Sequence, residues 1–180
     1  MKNQIQILLI IITFNAEFYC QNVDYNFSKV DQVVNNSIKD KAFPGAVVLI
    51  WKDGNIIYEK AFGNYTYDPK SQKVNSHTIY DLASLTKVIA TTTAAMICYE
   101  RNLLSLDNKV VRYISEFGAN GKENITIKNL LLHNSGLPAW KKFYGKNLKY
   151  EDIINEIFAS ELEYNTGEKT VYSDLGIITL

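Results

Sequence analysis

The chain has 180 residues, 47% hydrophobic and 21% charged, with Lys plus Arg and Asp plus Glu balanced at 19 each. Usage so close to the globular average points to neither a disordered chain nor a fibrous repeat. Zero net charge leaves no basic stripe to neutralise phosphates, which argues against nucleic acid as a partner.

Met1-Lys2-Asn3 precedes an almost wholly apolar run from Ile5 to Phe14 with no acidic residue. At about ten residues it is too short for a bilayer-spanning helix of about 20, and it matches the core of a secretory signal. The expectation is a signal peptide over residues 1–20 and an exported protein, periplasmic or secreted; a buried N-terminal helix is the alternative. Ala16 is the only small residue near a cleavage site, and Cys20 offers membrane anchoring only if it is lipidated, a recognition that Phe18 and Tyr19 fit badly. Residues 21–180 then form one domain, with one core expected. Cys98, beside Met96 and Ile97, reads as packing, so no disulfide framework is implied. His77 and His133 have no Cys or carboxylate at ligand spacing, so neither a metal nor any other cofactor is expected.

From Asp24 to Lys41, Phe27, Val30, Val33, Val34 and Ile38 recur at spacings of three and four, the mark of an amphipathic helix. Gly45–Trp51 and Ile56–Phe62 flank Lys52-Asp53-Gly54-Asn55, a hairpin signal. A polar loop follows from Asn64 to His77, and Ser84 to about Arg101 turns helical, weakened by Thr91, Thr92 and Thr93. Shorter helices are expected near Asp107–Ile114, from a Thr126 cap to His133, and near Glu151–Phe158. Leu130-Leu131-Leu132 marks the middle one as deeply buried, and Asn134-Ser135-Gly136-Leu137-Pro138 ends it in turn residues. No convincing strand follows Phe62, and a lone hairpin is marginal in water. The chain also stops on the apolar run Leu175–Leu180 without a helix stop signal, so the expectation is an N-terminal part whose further strands lie beyond Leu180.

In Tyr80-Asp81-Leu82-Ala83-Ser84-Leu85-Thr86-Lys87, a loop meets a helix with Ser84 at its start and Lys87 three residues on. Such a pair shares a helix face with Cβ atoms roughly 5 to 6 Å apart, so the amine can reach the hydroxyl. A serine hydroxyl becomes a good nucleophile only when a neighbouring base takes its proton. Lysine serves only if its pKa is lowered, for which the helix N-terminus and the apolar flank Val88, Ile89 and Ala90 are candidates. By itself such a pair is more often a helix cap and a solvated lysine.

Its company decides the matter. Asp81-Leu82-Ala83-Ser84-Leu85-Thr86-Lys87 resembles the first motif of the beta-lactamase-like (penicillin-recognising) serine hydrolases, which include class C beta-lactamases, DD-peptidases and esterases. Phe43-Pro44-Gly45-Ala46 looks like the family's entry into its first strands. Leu131-Leu132-His133-Asn134-Ser135-Gly136-Leu137-Pro138 is similar to its leucine, threonine, histidine and glycine signature, with Leu132 and Asn134 where threonine is commoner. Tyr172-Ser173-Asp174 looks like the second catalytic motif, Tyr-x-Asn. The resemblance covers about residues 42 to 180. It implies an α+β fold, an antiparallel sheet flanked by helices plus a helical lobe, with Ser84 at the base of the cleft between them. It also implies Ser84 as acylated nucleophile, Lys87 as its proton acceptor, Tyr172 as the proton shuttle and Asp174 as a substrate-binding position.

Asp174 departs from the commoner asparagine: an amide can donate to a substrate carbonyl, an ionised carboxylate cannot. Paired with Lys87, it would keep the lysine charged and favour a tyrosine-centred base. The expected substrates are small molecules or peptides: D-amino-acid peptides, beta-lactams or small esters, with beta-lactams disfavoured by this change. The family's third motif, Lys or His then any residue then Gly on a late strand, has no plausible counterpart here, so this stretch alone is expected to be inactive. An exported, non-catalytic binder of cell-wall peptides on the same fold is the alternative function. Gly118-Ala119-Asn120-Gly121-Lys122 reads as a surface loop, its spacing too short for a phosphate loop. Lys141, Lys142 and Lys146 beside Trp140, Phe143 and Tyr144 make a mild basic patch, either a solvated loop or part of a substrate entrance.

Overall fold

The computed structural model describes residues 25–180, so the expected signal segment and Cys20 lie outside the described residues. Contacts divide the chain into two compact units, one ending at Tyr80 and the other spanning Asp81–Leu180.

In the first unit, helix α1 (Ser28–Lys39) precedes an antiparallel pair, β1 (Gly45–Lys52) and β2 (Asn55–Gly63). Asp53 and Gly54 both take positive φ, at 49° and 82°, as a two-residue type I′ hairpin turn requires. The register runs from Gly45 opposite Gly63 to Lys52 opposite Asn55, with an irregularity between Ile50 and Trp51. Among the described residues of this unit, Val34 of α1, Phe62 and Val74 are the buried apolar ones. The Phe27 ring packs on Tyr58 at 4.7 Å, and the Tyr58 hydroxyl donates to Asp31, which also pairs with Lys60 at 2.8 Å. Burial, reinforced by that carboxylate, pushes the Tyr58 phenol up to about 12. Among the described residues β1 and β2 are the only strands, as the sequence leads one to expect.

The second unit is helical. A π-helical turn (Lys87–Thr92) runs directly into α2 (Thr93–Glu100), followed by α3 (Ile127–Leu131), α4 (Tyr150–Phe158) and α5 (Asp174–Thr179). The threonines leave their mark: Thr92 and Thr93 hydroxyls donate to the carbonyls of Lys87 and Val88, five residues back. Thr126 caps α3 as expected, its oxygen accepting from the Asn129 N–H while Asn129 Oδ1 accepts from the Thr126 N–H. The core comprises Val110, Phe117, Ile125, Ile127, Leu130, Leu137, Ile157 and Leu175. Leu130 is buried, but Leu132 at the end of the leucine run is exposed.

Two expectations need correction, and one segment gains an element. The helix foreseen over Asp107–Ile114 is only a 3-10 turn, Val110–Arg112, because the Val110 N–H is taken by the Ile125 carbonyl at 2.8 Å. The Leu175–Leu180 run, to which the sequence assigns no element, lies largely within α5. Lys122 is no surface residue: it is wholly buried, its ammonium donating to the Ser160 carbonyl at 2.5 Å. Burial holds its pKa below the usual lysine value. Among the described residues, no helix is long and apolar enough to cross a membrane.

Candidate active site

Ser84 sits one residue beyond Ala83, whose φ of 43° lies in the left-handed region that a non-glycine residue adopts only at a cost. The turn is held by Asp81, whose Oδ1 accepts the Ala83 N–H at 2.8 Å, and by the Leu85 N–H donating to the Leu82 carbonyl at 2.9 Å. The serine is thereby exposed at the start of the helical segment.

Lys87, one turn on, donates to Ser84 Oγ over a long 3.4 Å and forms an ion pair of 2.8 Å with Asp174. Its ammonium also lies 5.2 Å from the centre of the Tyr172 ring. The four residues singled out from sequence thus converge within one unit, although 172 and 174 come from a stretch remote from 84 and 87.

The stretch bearing Tyr172 is fixed by the loop after α3. His133 occupies the position after the C-cap of α3 with φ of 54°, while the His133 and Asn134 N–H groups donate to the Leu130 and Asn129 carbonyls, a Schellman closure. From there the loop grips residues 171–174 four times. The Val171 N–H donates to the His133 carbonyl at 2.8 Å, and the Ser173 N–H to His133 Nδ1 at 3.0 Å. The Ser173 hydroxyl donates to the Pro138 carbonyl, and the Asp174 N–H to the Ala139 carbonyl, both at 2.7 Å. Ser173 Oγ also accepts the Gly176 N–H at 3.1 Å, capping α5. Two motifs that look separate in the sequence are one hydrogen-bonded structure. Sequence reasoning missed the parts of His133 and Ser173; the likeness at Leu131–Pro138 was the available signal.

Residues 30–180 match the family described as Beta-lactamase. The chain belongs to the beta-lactamase family. Among curated relatives, an N-acetylmuramyl-L-alanine amidase of Bacillus subtilis is 35% identical, the match covering 84% of this chain and 38% of the relative. A protein of Escherichia coli, named provisionally as a D-alanyl-D-alanine carboxypeptidase, is 32% identical over 85% of this chain and 39% of its own length. The solved octameric penicillin-binding protein homologue from Pyrococcus abyssi superposes with a TM-score of 0.71 at 25% identity, covering 86% of this chain and 38% of that one. The fold is therefore the α+β fold of the beta-lactamase family, and the chain spans under two-fifths of the length of these relatives.

Within this beta-lactamase-family site the electrostatics separate the two candidate bases. Asp174, more than burial opposes it, holds the Lys87 ammonium above the usual lysine value. The apolar flank expected to lower it does not enclose it, since Val88 and Ile89 are 64% and 57% exposed. Tyr172 moves the other way: the Ser84 hydroxyl and then the Lys87 ammonium favour its phenolate and lower its pKa. A charged lysine beside an acidified phenol is poorly suited to accept a proton itself and well suited to stabilise the phenolate left when the tyrosine loses its own. Burial and the Lys87 charge depress His133, which leaves its Nδ1 free to accept from Ser173.

An open recess of about 570 Å³ borders the Lys87–Asp174 pair, with Thr86, Thr91 and Ile177 in its wall. A larger one, about 640 Å³, runs along α2 by Met96 and Tyr99 and includes none of the four site residues. Of the expected basic patch, Lys141 is tethered to the Glu156 carbonyl at 3.1 Å, while Lys142 and Lys146 are exposed. Among the described residues no three His, Cys, Asp or Glu side chains gather to hold a metal ion.

Proposed function

We propose that the full-length protein is an exported serine hydrolase that cleaves peptide or ester bonds through an acyl-enzyme on Ser84. The observation that carries this reading is the meeting of the Ser84 hydroxyl, the Lys87 ammonium and the Tyr172 phenol. In this reading Tyr172, as phenolate, takes the hydroxyl proton while Ser84 Oγ bonds to the substrate's carbonyl carbon. The same proton passes to the departing amine or alcohol as the scissile bond breaks. Water then attacks the ester, giving one proton back through Tyr172 and releasing the acid. Lys87 stays charged throughout and holds the phenolate by its field. The relatives named for an amide and for a D-alanyl-D-alanine bond support small acyl-peptides as substrates.

A fluorescent penicillin or an alkyl phosphonate, followed by mass spectrometry of the full-length protein, is expected to label the peptide containing Ser84. A serine that stays unlabelled by both would overturn the reading and leave a binding module. Asp174, unable to donate to a substrate carbonyl, favours esters and peptides over beta-lactams. Nitrocefin turnover equal to ester turnover would contradict that preference.

Asp174→Asn is expected to raise nitrocefin turnover relative to ester turnover by about tenfold, the worth of one recovered hydrogen bond of about 1.4 kcal/mol. The carboxylate opposes the Tyr172 phenolate, so its removal lowers the phenol's pKa further. The acid limb of the pH–rate profile is then expected to move to lower pH.

A further inference from the structure

His133 makes more contacts with the Tyr172 stretch than a helix-ending residue needs. Its carbonyl and its ring nitrogen hold the N–H groups on either side of Tyr172, at Val171 and Ser173. Its ring lies 4.7 Å from the Tyr172 ring, tilted by 33°. An imidazole nitrogen that accepts a hydrogen bond carries no proton, so this grip exists only while the ring is neutral. The charged and titratable groups around it are Lys87 on the helical segment after Ser84, Tyr172 and Asp174 on the gripped stretch, and Tyr164, whose hydroxyl reaches the His133 carbonyl at 3.5 Å.

We propose that His133 is the positioning residue of Tyr172, and that its protonation withdraws the phenol from Ser84 and switches the site off in acid. The proposal rests on the acyl-enzyme reading above and adds to it a regulatory group. Protonating Nδ1 turns an acceptor towards the Ser173 N–H into a donor, so the bond is lost and residue 173 is pushed away. Burial and the Lys87 charge both oppose that protonation, which places the switch below the usual histidine value of 6.5. The sign for stability agrees: a depressed histidine contributes stability that is complete above that value and is lost as the pH falls through the folded-state pKa.

The test is the pH dependence of Ser84 acylation by a phosphonate in the full-length protein and two variants. In the wild type the acid limb is expected to steepen from a one-proton dependence, that of Tyr172, to a two-proton dependence below about pH 6.5. His133→Asn keeps an acceptor, Oδ1, near the position of Nδ1, tolerates the left-handed backbone and cannot be protonated. It is expected to keep the rate within about threefold near pH 7.5 and to retain only the one-proton limb. His133→Phe keeps a ring but offers no acceptor, and a misplaced phenol is expected to slow acylation roughly 100-fold.

Proton NMR supplies a second readout independent of acylation. The chain has two histidines, and His77 is exposed. The Tyr172 ring and Ser173 amide signals are expected to move in step with the His133 titration. A two-proton limb that persists in His133→Asn, or Tyr172 and Ser173 signals that ignore the His133 titration, would overturn the proposal. A wild type that never acylates would overturn the hydrolase reading instead, while the NMR titration would still judge the grip on Tyr172.

Discussion

Replacing Tyr172 with phenylalanine is expected to slow acylation of Ser84 by about 1,000-fold, within the range that loss of a positioned general base produces. Only the phenolic oxygen is removed. The ring keeps its place against His133, and its backbone stays gripped at residues 171 and 173. The phenol is 51% exposed, so no buried partner is orphaned and the fold should be unaffected. Lys87 cannot readily take over, because Asp174 keeps it protonated. Pre-steady-state labelling with a phosphonate, with Ser84→Ala as the unlabelled control, measures the effect directly. A Tyr172→Phe rate within tenfold of wild type would remove the tyrosine as base and return that role to Lys87.

The contrast between these two residues illustrates what a sequence conveys and what it withholds. The spacing of Ser84 and Lys87 fixes their proximity by helix geometry alone, and the structure brings them to 3.4 Å. The protonation state of Lys87 depends on Asp174, a residue from another stretch, and no local pattern encodes that contact. The same division runs through the fold. The Asp53-Gly54 turn, the Thr126 cap and the amphipathic α1 are local signals, and all appear where they were expected. Helix α5 is missed because six residues are too few for a helical period to show, and its Ser173 cap lacks the glutamate that would complete a capping box. The Asp107–Ile114 helix fails for the opposite reason. Its backbone bonds go instead to Ile125 and Ile127, beyond the reach of local propensity. Lys122 looks like an exposed loop residue until α4 is seen to end where the Ser160 carbonyl can receive its ammonium.

The loop that grips the Tyr172 stretch has its own point of vulnerability, and Gly136→Ala is expected to destabilise the second unit by about 3 kcal/mol. Gly136 has φ of 93°, and a Cβ there would lie 2.4 Å from the Tyr164 carbonyl oxygen. That oxygen belongs to backbone, held close because the Glu163 N–H donates to the Gly136 carbonyl at 2.9 Å, so it cannot swing aside as a side chain would. Relieving the clash means separating residues 135–137 from 162–164, between the Schellman turn at His133 and the Pro138 and Ala139 carbonyls. Gly167→Ala supplies the comparison, since its φ is 86° but an added Cβ would meet nothing within 4 Å. It should cost only about 1 kcal/mol, the backbone strain of a left-handed alanine. The denaturant midpoints of the two variants therefore separate close approach from conformational strain. Equal losses would mean that the 162–164 segment yields freely, and that the loop carrying His133 is less firmly anchored than its hydrogen bonds imply.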